Sequence, residues 1–186
     1  ASSAYVYAAL GNSILSENSK LVPSNSYGKS KLEMELLCEG YKNLKILITR
    51  PFNYTGVGQD QNFLIPKIVD HFKLKKKEIQ LGNINVRREY NDISDVCKIY
   101  TKFLDNVKFS NTVNICSGNS YSIKDIIQIC EKLTSHKIRV EVDPKLKRQV
   151  DIANIIGNPK KLNSLIGNYT FKNLENTIKD MLLSSR

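Results

Sequence analysis

The chain alternates between two hydrophobic patterns, and that alternation constrains its fold more than any other property. Leu44–Thr49 (Leu-Lys-Ile-Leu-Ile-Thr), Glu78–Leu81, Thr112–Cys116 and Lys137–Val142 are short runs of strand length. Between and after them, apolar residues recur at helical spacing over 27–41, 63–74, 93–104, 122–133 and 173–183. Strands alternating with helices predict an α/β class. Ala1–Tyr7 reads as the end of a buried strand, and the polar stretch from Gly11 to Ser26, with Pro23 inside it, as loop. In the first helix Leu32, Leu36 and Leu37 alternate with Glu33, Glu35 and Glu39, which predicts an amphipathic helix. Asp92 and Ser122 are candidate helix caps, with Asp125 three residues after Ser122.

With 186 residues and 41% hydrophobic content the chain can bury a sizeable core. No apolar run reaches the roughly 18 residues of a membrane span, and Ala1–Leu10 lacks the basic start of a signal peptide. Cys38, Cys97, Cys116 and Cys130 form no Cys-x-x-Cys pair, and only two histidines, His71 and His136, accompany them. No metal site or disulfide framework is expected, and a reducing, cytoplasmic setting is. The formal charge of +10 admits nucleic-acid binding. Scattered, solvated lysines are the favoured reading, because the tyrosines are not spaced as a base-stacking platform. Part of the charge could instead face an anionic substrate such as a nucleotide diphosphate.

The chemistry-bearing feature is Tyr27 with Lys31 four residues later, in Ser26-Tyr27-Gly28-Lys29-Ser30-Lys31, preceded by Ser2-Ser3. Residues four apart share a helix face. An ammonium beside a phenol favours the phenolate, which suits a tyrosine to proton transfer near neutral pH. A Ser-Tyr-Lys set fits hydride transfer between a carbonyl and an alcohol. Taken alone, the pair could equally be a surface feature of a helix.

The ordered series Ser2-Ser3-Ala4-Tyr5-Val6-Tyr7, Tyr27-Gly28-Lys29-Ser30-Lys31, Arg50-Pro51-Phe52-Asn53-Tyr54-Thr55-Gly56-Val57-Gly58-Gln59, Arg88-Glu89-Tyr90 and Asn114-Ile115-Cys116-Ser117-Gly118 resembles the extended short-chain dehydrogenase/reductases. These are the NAD-dependent nucleotide-sugar epimerases, dehydratases and reductases; the subgroup most similar is that of the GDP-4-keto-6-deoxymannose reductases. The resemblance implies an α/β fold comprising the C-terminal half of a Rossmann-type sheet and a small substrate-binding domain. Residues 1–62 would belong to the former and 63–186 mainly to the latter, with some segments returning. It implies NAD or NADP as cofactor and a nucleotide-diphosphate sugar as substrate. Ser3 would bond the reacting oxygen, Tyr27 would protonate it, and Lys31 would hold the nicotinamide ribose. Pro51 and Phe52 would border the nicotinamide, while Asn53, Arg88 and Arg148 would contact the nucleotide sugar. Family members often dimerise through the helix that bears the Tyr-Lys pair, so a homodimer is an expectation.

Two features refine these implications. No G-x-G-x-x-G fingerprint occurs, so the pyrophosphate loop is expected to lie outside this chain and the chain alone to be inactive. Family dehydratases carry an acid just after the Ser/Thr, where this chain has Ala4 and Tyr5. Elimination would lack its acid and base there, leaving a reductase, or alternatively a 4-epimerase. A non-catalytic remnant or a basic RNA-binding protein is the expectation from a different class, and the Ser-Tyr-Lys set argues against it.

Overall fold

The computed structural model describes residues 1–8, 14–106, 110–146 and 154–184. Its strands are joined mostly in parallel. β2 (Leu47–Pro51) pairs with β7 (Asn111–Ile115), β3 (Tyr54–Thr55) with β6 (Asn91–Asp92), and β4 (Glu78–Leu81) with β9 (Arg139–Val142). A fourth sheet runs β1 (Ile14–Leu15), β10 (Asn154–Gly157), β5 (Arg87–Arg88), β8 (Tyr121–Ser122), with only its β5–β8 pair antiparallel.

Three apolar clusters organise these elements. In the first, α2 (Leu64–Lys73), α4 (Ile123–Thr134) and α6 (Leu174–Leu183) pack on β4 and β9. Helix α2 buries Ile65, Ile68, Val69 and Phe72, the spacing of one helical face. Each such side chain contributes about 1.5–3 kcal/mol when fully buried. Pro66 lies in the first turn, where a missing N–H costs no intrahelical bond. The helix ends as Lys75 turns left-handed at φ 48°. In the second cluster, α3 (Ile93–Asn106) and α5 (Lys160–Ile166) cover β2 and β7 through Ile99, Phe103, Val113, Ile115 and Leu162. The third joins Val6, Tyr7, Leu15, Phe52, Cys116 and Ile155 beneath the candidate site.

Helix α4 is capped as its sequence predicts. Ser122 Oγ accepts from Asp125 N at 3.0 Å and Asp125 Oδ2 accepts from Ser122 N at 2.9 Å. Ser122→Ala should therefore cost about 1 kcal/mol in denaturant unfolding. An unchanged midpoint would show that the cap contributes nothing.

Three expectations are corrected. Ile14–Leu15, inside the stretch read as loop, is strand β1, held by its pairing with β10. Ala4–Val6 is one turn of 3-10 helix rather than the end of a strand, started by Ser3 and followed by a lone bridge from Tyr7 to Leu21. Helix α1 (Ser26–Glu39) forms, but without the expected apolar face. Leu36 and Leu37 are 56% and 70% exposed, whereas Gly28 and Glu35 face inward. Among the described residues no helix is long and apolar enough to cross a membrane.

Candidate active site

The N-terminal end of α1 meets the Ala4–Val6 turn, and this contact assembles the Ser-Tyr-Lys set. Asn25 Oδ1 caps the helix by accepting from Gly28 N at 2.7 Å. A Cβ on Gly28 would lie 2.3 Å from the Tyr5 carbonyl oxygen and 2.9 Å from Pro23 Cβ. Only glycine lets helix and turn approach so closely. Alanine is the better helix former by about 1 kcal/mol, yet Gly28→Ala should destabilise by about 1–3 kcal/mol, because a backbone atom must yield. A variant melting at or above the parent temperature would contradict the close packing.

Ser3 is buried, and its Oγ accepts from Tyr5 N at 3.3 Å, a bond that uses an oxygen lone pair and not the O–H. Tyr27 is 52% exposed. Its ring stands edge-to-face with that of Tyr5 at 6.1 Å and 75°. Lys31 Nζ sits 5.7 Å from the Tyr27 ring centroid and donates to the Ala1 carbonyl at 3.3 Å. Ser2 N donates to Thr49 O at 2.7 Å, which lays this segment beside β2, the strand that ends in Pro51. Phe52 is buried in the same cluster as Ala4 and Tyr7, and its N donates to Ile115 O of β7 at 3.0 Å. The structure thus ties Tyr27 and Lys31 to the Ser3 segment, and that segment to β2 and Phe52.

Asn53 lies beside the segment that follows Arg88. Asn53 O accepts from Asn91 N at 2.9 Å, next to β5 in sequence. Arg88 is buried, and its Nη1 donates to the Arg87 carbonyl at 2.8 Å. Neighbouring Arg87 points the other way, as alternate strand residues do. It donates to Ser120 O at 2.6 Å and pairs with Asp125 at 3.0 Å. Arg148 lies outside the described residues.

Sequence reasoning missed the burial of two glutamates. Glu89 is 1% exposed; Oε2 accepts from Ser117 N at 2.8 Å and Gly118 N at 3.3 Å, and Oε1 from Gly157 N. Burial pushes its carboxyl above the ordinary value, against the pull of those N–H groups. The carboxylate joins β5, the loop after β7 and β10 behind Arg88. Glu35 is the other. Its Oε1 and Oε2 accept from Arg50 Nε at 2.9 Å and Nη2 at 2.6 Å. Arg50 Nη1 in turn donates to Tyr7 Oη at 3.1 Å and to Glu17 O at 3.2 Å. Tyr7 Oη donates to Asn114 Oδ1 at 2.6 Å; burial pushes its pKa up to about 12, so it keeps its proton at neutral pH. No sequence signal marked either carboxylate as buried, since the groups that satisfy each come from other segments of the chain.

Parallel strands flanked by helices, with a Ser segment and a Tyr-x-x-x-Lys tied together beside a strand, define an α/β protein of Rossmann type. A family profile described as GDP-mannose 4,6 dehydratase matches residues 1–181, and the chain belongs to that family. It is 34% identical over 182 residues to a GDP-6-deoxy-D-talose 4-dehydrogenase of Aggregatibacter actinomycetemcomitans, covering 97% of this chain and 62% of the relative. It is 28% identical to a GDP-6-deoxy-D-mannose reductase of Pseudomonas aeruginosa, covering 89% and 58%. A crystal structure from Burkholderia cenocepacia superposes with a TM-score of 0.93 at 34% identity, covering 97% of this chain and 60% of that one. The chain spans about three fifths of the length of these relatives.

Proposed function

We propose that the full-length protein carrying this chain is an NAD(P)-dependent nucleotide-sugar oxidoreductase that reduces a 4-keto-6-deoxy sugar nucleotide. The observation that carries the reading is the accessible Tyr27 ring beside Lys31, over a Ser3 turn whose next two residues, Ala4 and Tyr5, carry no carboxyl group. The names of the two GDP-sugar relatives, a dehydrogenase and a reductase, support the same substrate class. When bound, the reduced nicotinamide supplies the hydride. The site fits such a group: Tyr27 is open to it, and Lys31 bears three donors suited to ribose hydroxyls.

In this reading Ser3 donates its O–H to the sugar carbonyl oxygen. Tyr27 transfers its phenolic proton to that oxygen as the carbon accepts hydride, and the product is an alcohol. Lys31 steadies the phenolate that remains. Asn53 and Arg88 would hold the nucleotide diphosphate, where a guanidinium can make paired bonds to phosphate oxygens. Residues 1–62, with α3, β7 and α5, would form the catalytic half; the α2–β4–α4–β9–α6 cluster would face the nucleotide sugar.

The test is a reductant balance. Full-length protein given GDP-4-keto-6-deoxymannose should consume one NAD(P)H per sugar alcohol formed. Interconversion of 4-epimers without added reductant would replace this reading with an epimerase.

A further inference from the structure

Helix α1 carries the proposed proton donor, yet it lacks the apolar stripe that usually seats a helix. Tyr27, Lys31 and Glu35 recur every four residues along one row, which runs from the exposed Tyr27 to the buried Glu35. Glu35 and Arg50 are each 5% exposed, and their fork-to-fork pair is the deep anchor of that row. Arg50 does not stop at Glu35. Its guanidinium lies 5.0 Å from the centroid of the Tyr7 ring and bonds the Tyr7 hydroxyl, and Tyr7 closes the turn that Ser3 opens.

We propose that the buried Glu35–Arg50–Tyr7 relay is a positioning device that sets the Tyr27–Lys31 end of α1 against the Ser3 turn. Glu35 lies two helical turns beyond Tyr27, about 12 Å along the axis. A pivot of ten degrees at Glu35 would shift Tyr27 by about 2 Å, enough to spoil a proton transfer that needs near-contact geometry. The Gly28 contact with Tyr5 is the second support, and two supports fix the tilt where one would leave it free. Leu36 and Leu37 point away and add nothing to this seating. The catalytic part of this inference rests on the reductase reading above; the seating of the helix does not.

The test separates positioning from stability. Glu35→Leu combined with Arg50→Met removes both buried charges and refills their volume, an exchange that leaves many proteins as stable as before. Arg50→Lys keeps a charge beside Glu35 but loses the planar fork that reaches Tyr7 as well. Each is made in full-length protein and compared with the parent by thermal melting, by steady-state kinetics and by the nuclear Overhauser contact between the Tyr5 and Tyr27 rings. In variants that melt within a few degrees of the parent, kcat should fall about 10–100-fold. The sugar-nucleotide KM should stay within about twofold, and the ring contact should weaken. Parental kcat and an intact ring contact in either such variant would overturn the proposal. A parent protein that turns over no 4-keto sugar nucleotide would instead overturn the reductase reading. The ring contact then decides alone: its loss supports the relay and its retention overturns it.

Discussion

Replacing Tyr27 by phenylalanine is expected to lower kcat for 4-keto sugar reduction by about 10²–10⁴-fold, the usual weight of a positioned general acid. Phenylalanine preserves the edge-to-face contact with Tyr5 and the ring beneath Lys31, so only the hydroxyl is lost. Melting temperature and sugar-nucleotide affinity should therefore stay near those of the parent. Steady-state kinetics on full-length Tyr27→Phe, with binding measured separately, checks this. A loss of less than tenfold would mean that another group supplies the proton.

Glu35→Ala should produce the largest loss of stability. Removing one member of a buried ion pair leaves the other charge uncompensated, at a cost of about 3–5 kcal/mol. Arg50 would keep only its Tyr7 and Glu17 partners in a site 5% exposed. For a protein of this size that is a fall of about 6–20 °C in Tm. Leu37→Ala, two residues away and 70% exposed, should shift stability by less than about 0.5 kcal/mol. Comparable losses at the two positions would refute the burial pattern of α1. Hydrophobicity alone ranks these two substitutions the other way round.

That inversion shows what the residues reveal by themselves and what they do not. Helices α2, α4 and α6 and strand β4 were legible because their apolar spacing serves one nearby core, and Ser122 because its cap is local. Tyr27 and Lys31 were legible as a pair because four residues of helix place them together. The two-residue strands β1, β3, β5, β6 and β8 were not, since two residues carry no period. The short helix α5 was likewise passed over. Burial of Glu35 and Glu89 was hidden for another reason. Each is satisfied by partners far away in the chain: Arg50 for one, Ser117 and Gly157 for the other. A charge looks solvated until its distant partner is known. Of the two adjacent arginines, strand geometry turned Arg88 inward and Arg87 toward Asp125, a choice composition does not make.

The mostly parallel sheets also set a timetable. β10 pairs residue 156 with residue 14 and residue 155 with residue 88, so the strand that joins this sheet follows both of its partners at long range in sequence. Pairings of such sequence separation form slowly, because a long loop must close before any contact rewards it. On a ribosome, Ser3, Tyr27 and Lys31 emerge before Gly157, whose N–H donates to Glu89. Until then β1 and β5 keep open edges that other chains can pair with. Newly made molecules therefore pass through an interval in which Ser3, Tyr27 and Lys31 exist without the sheet that finally supports them.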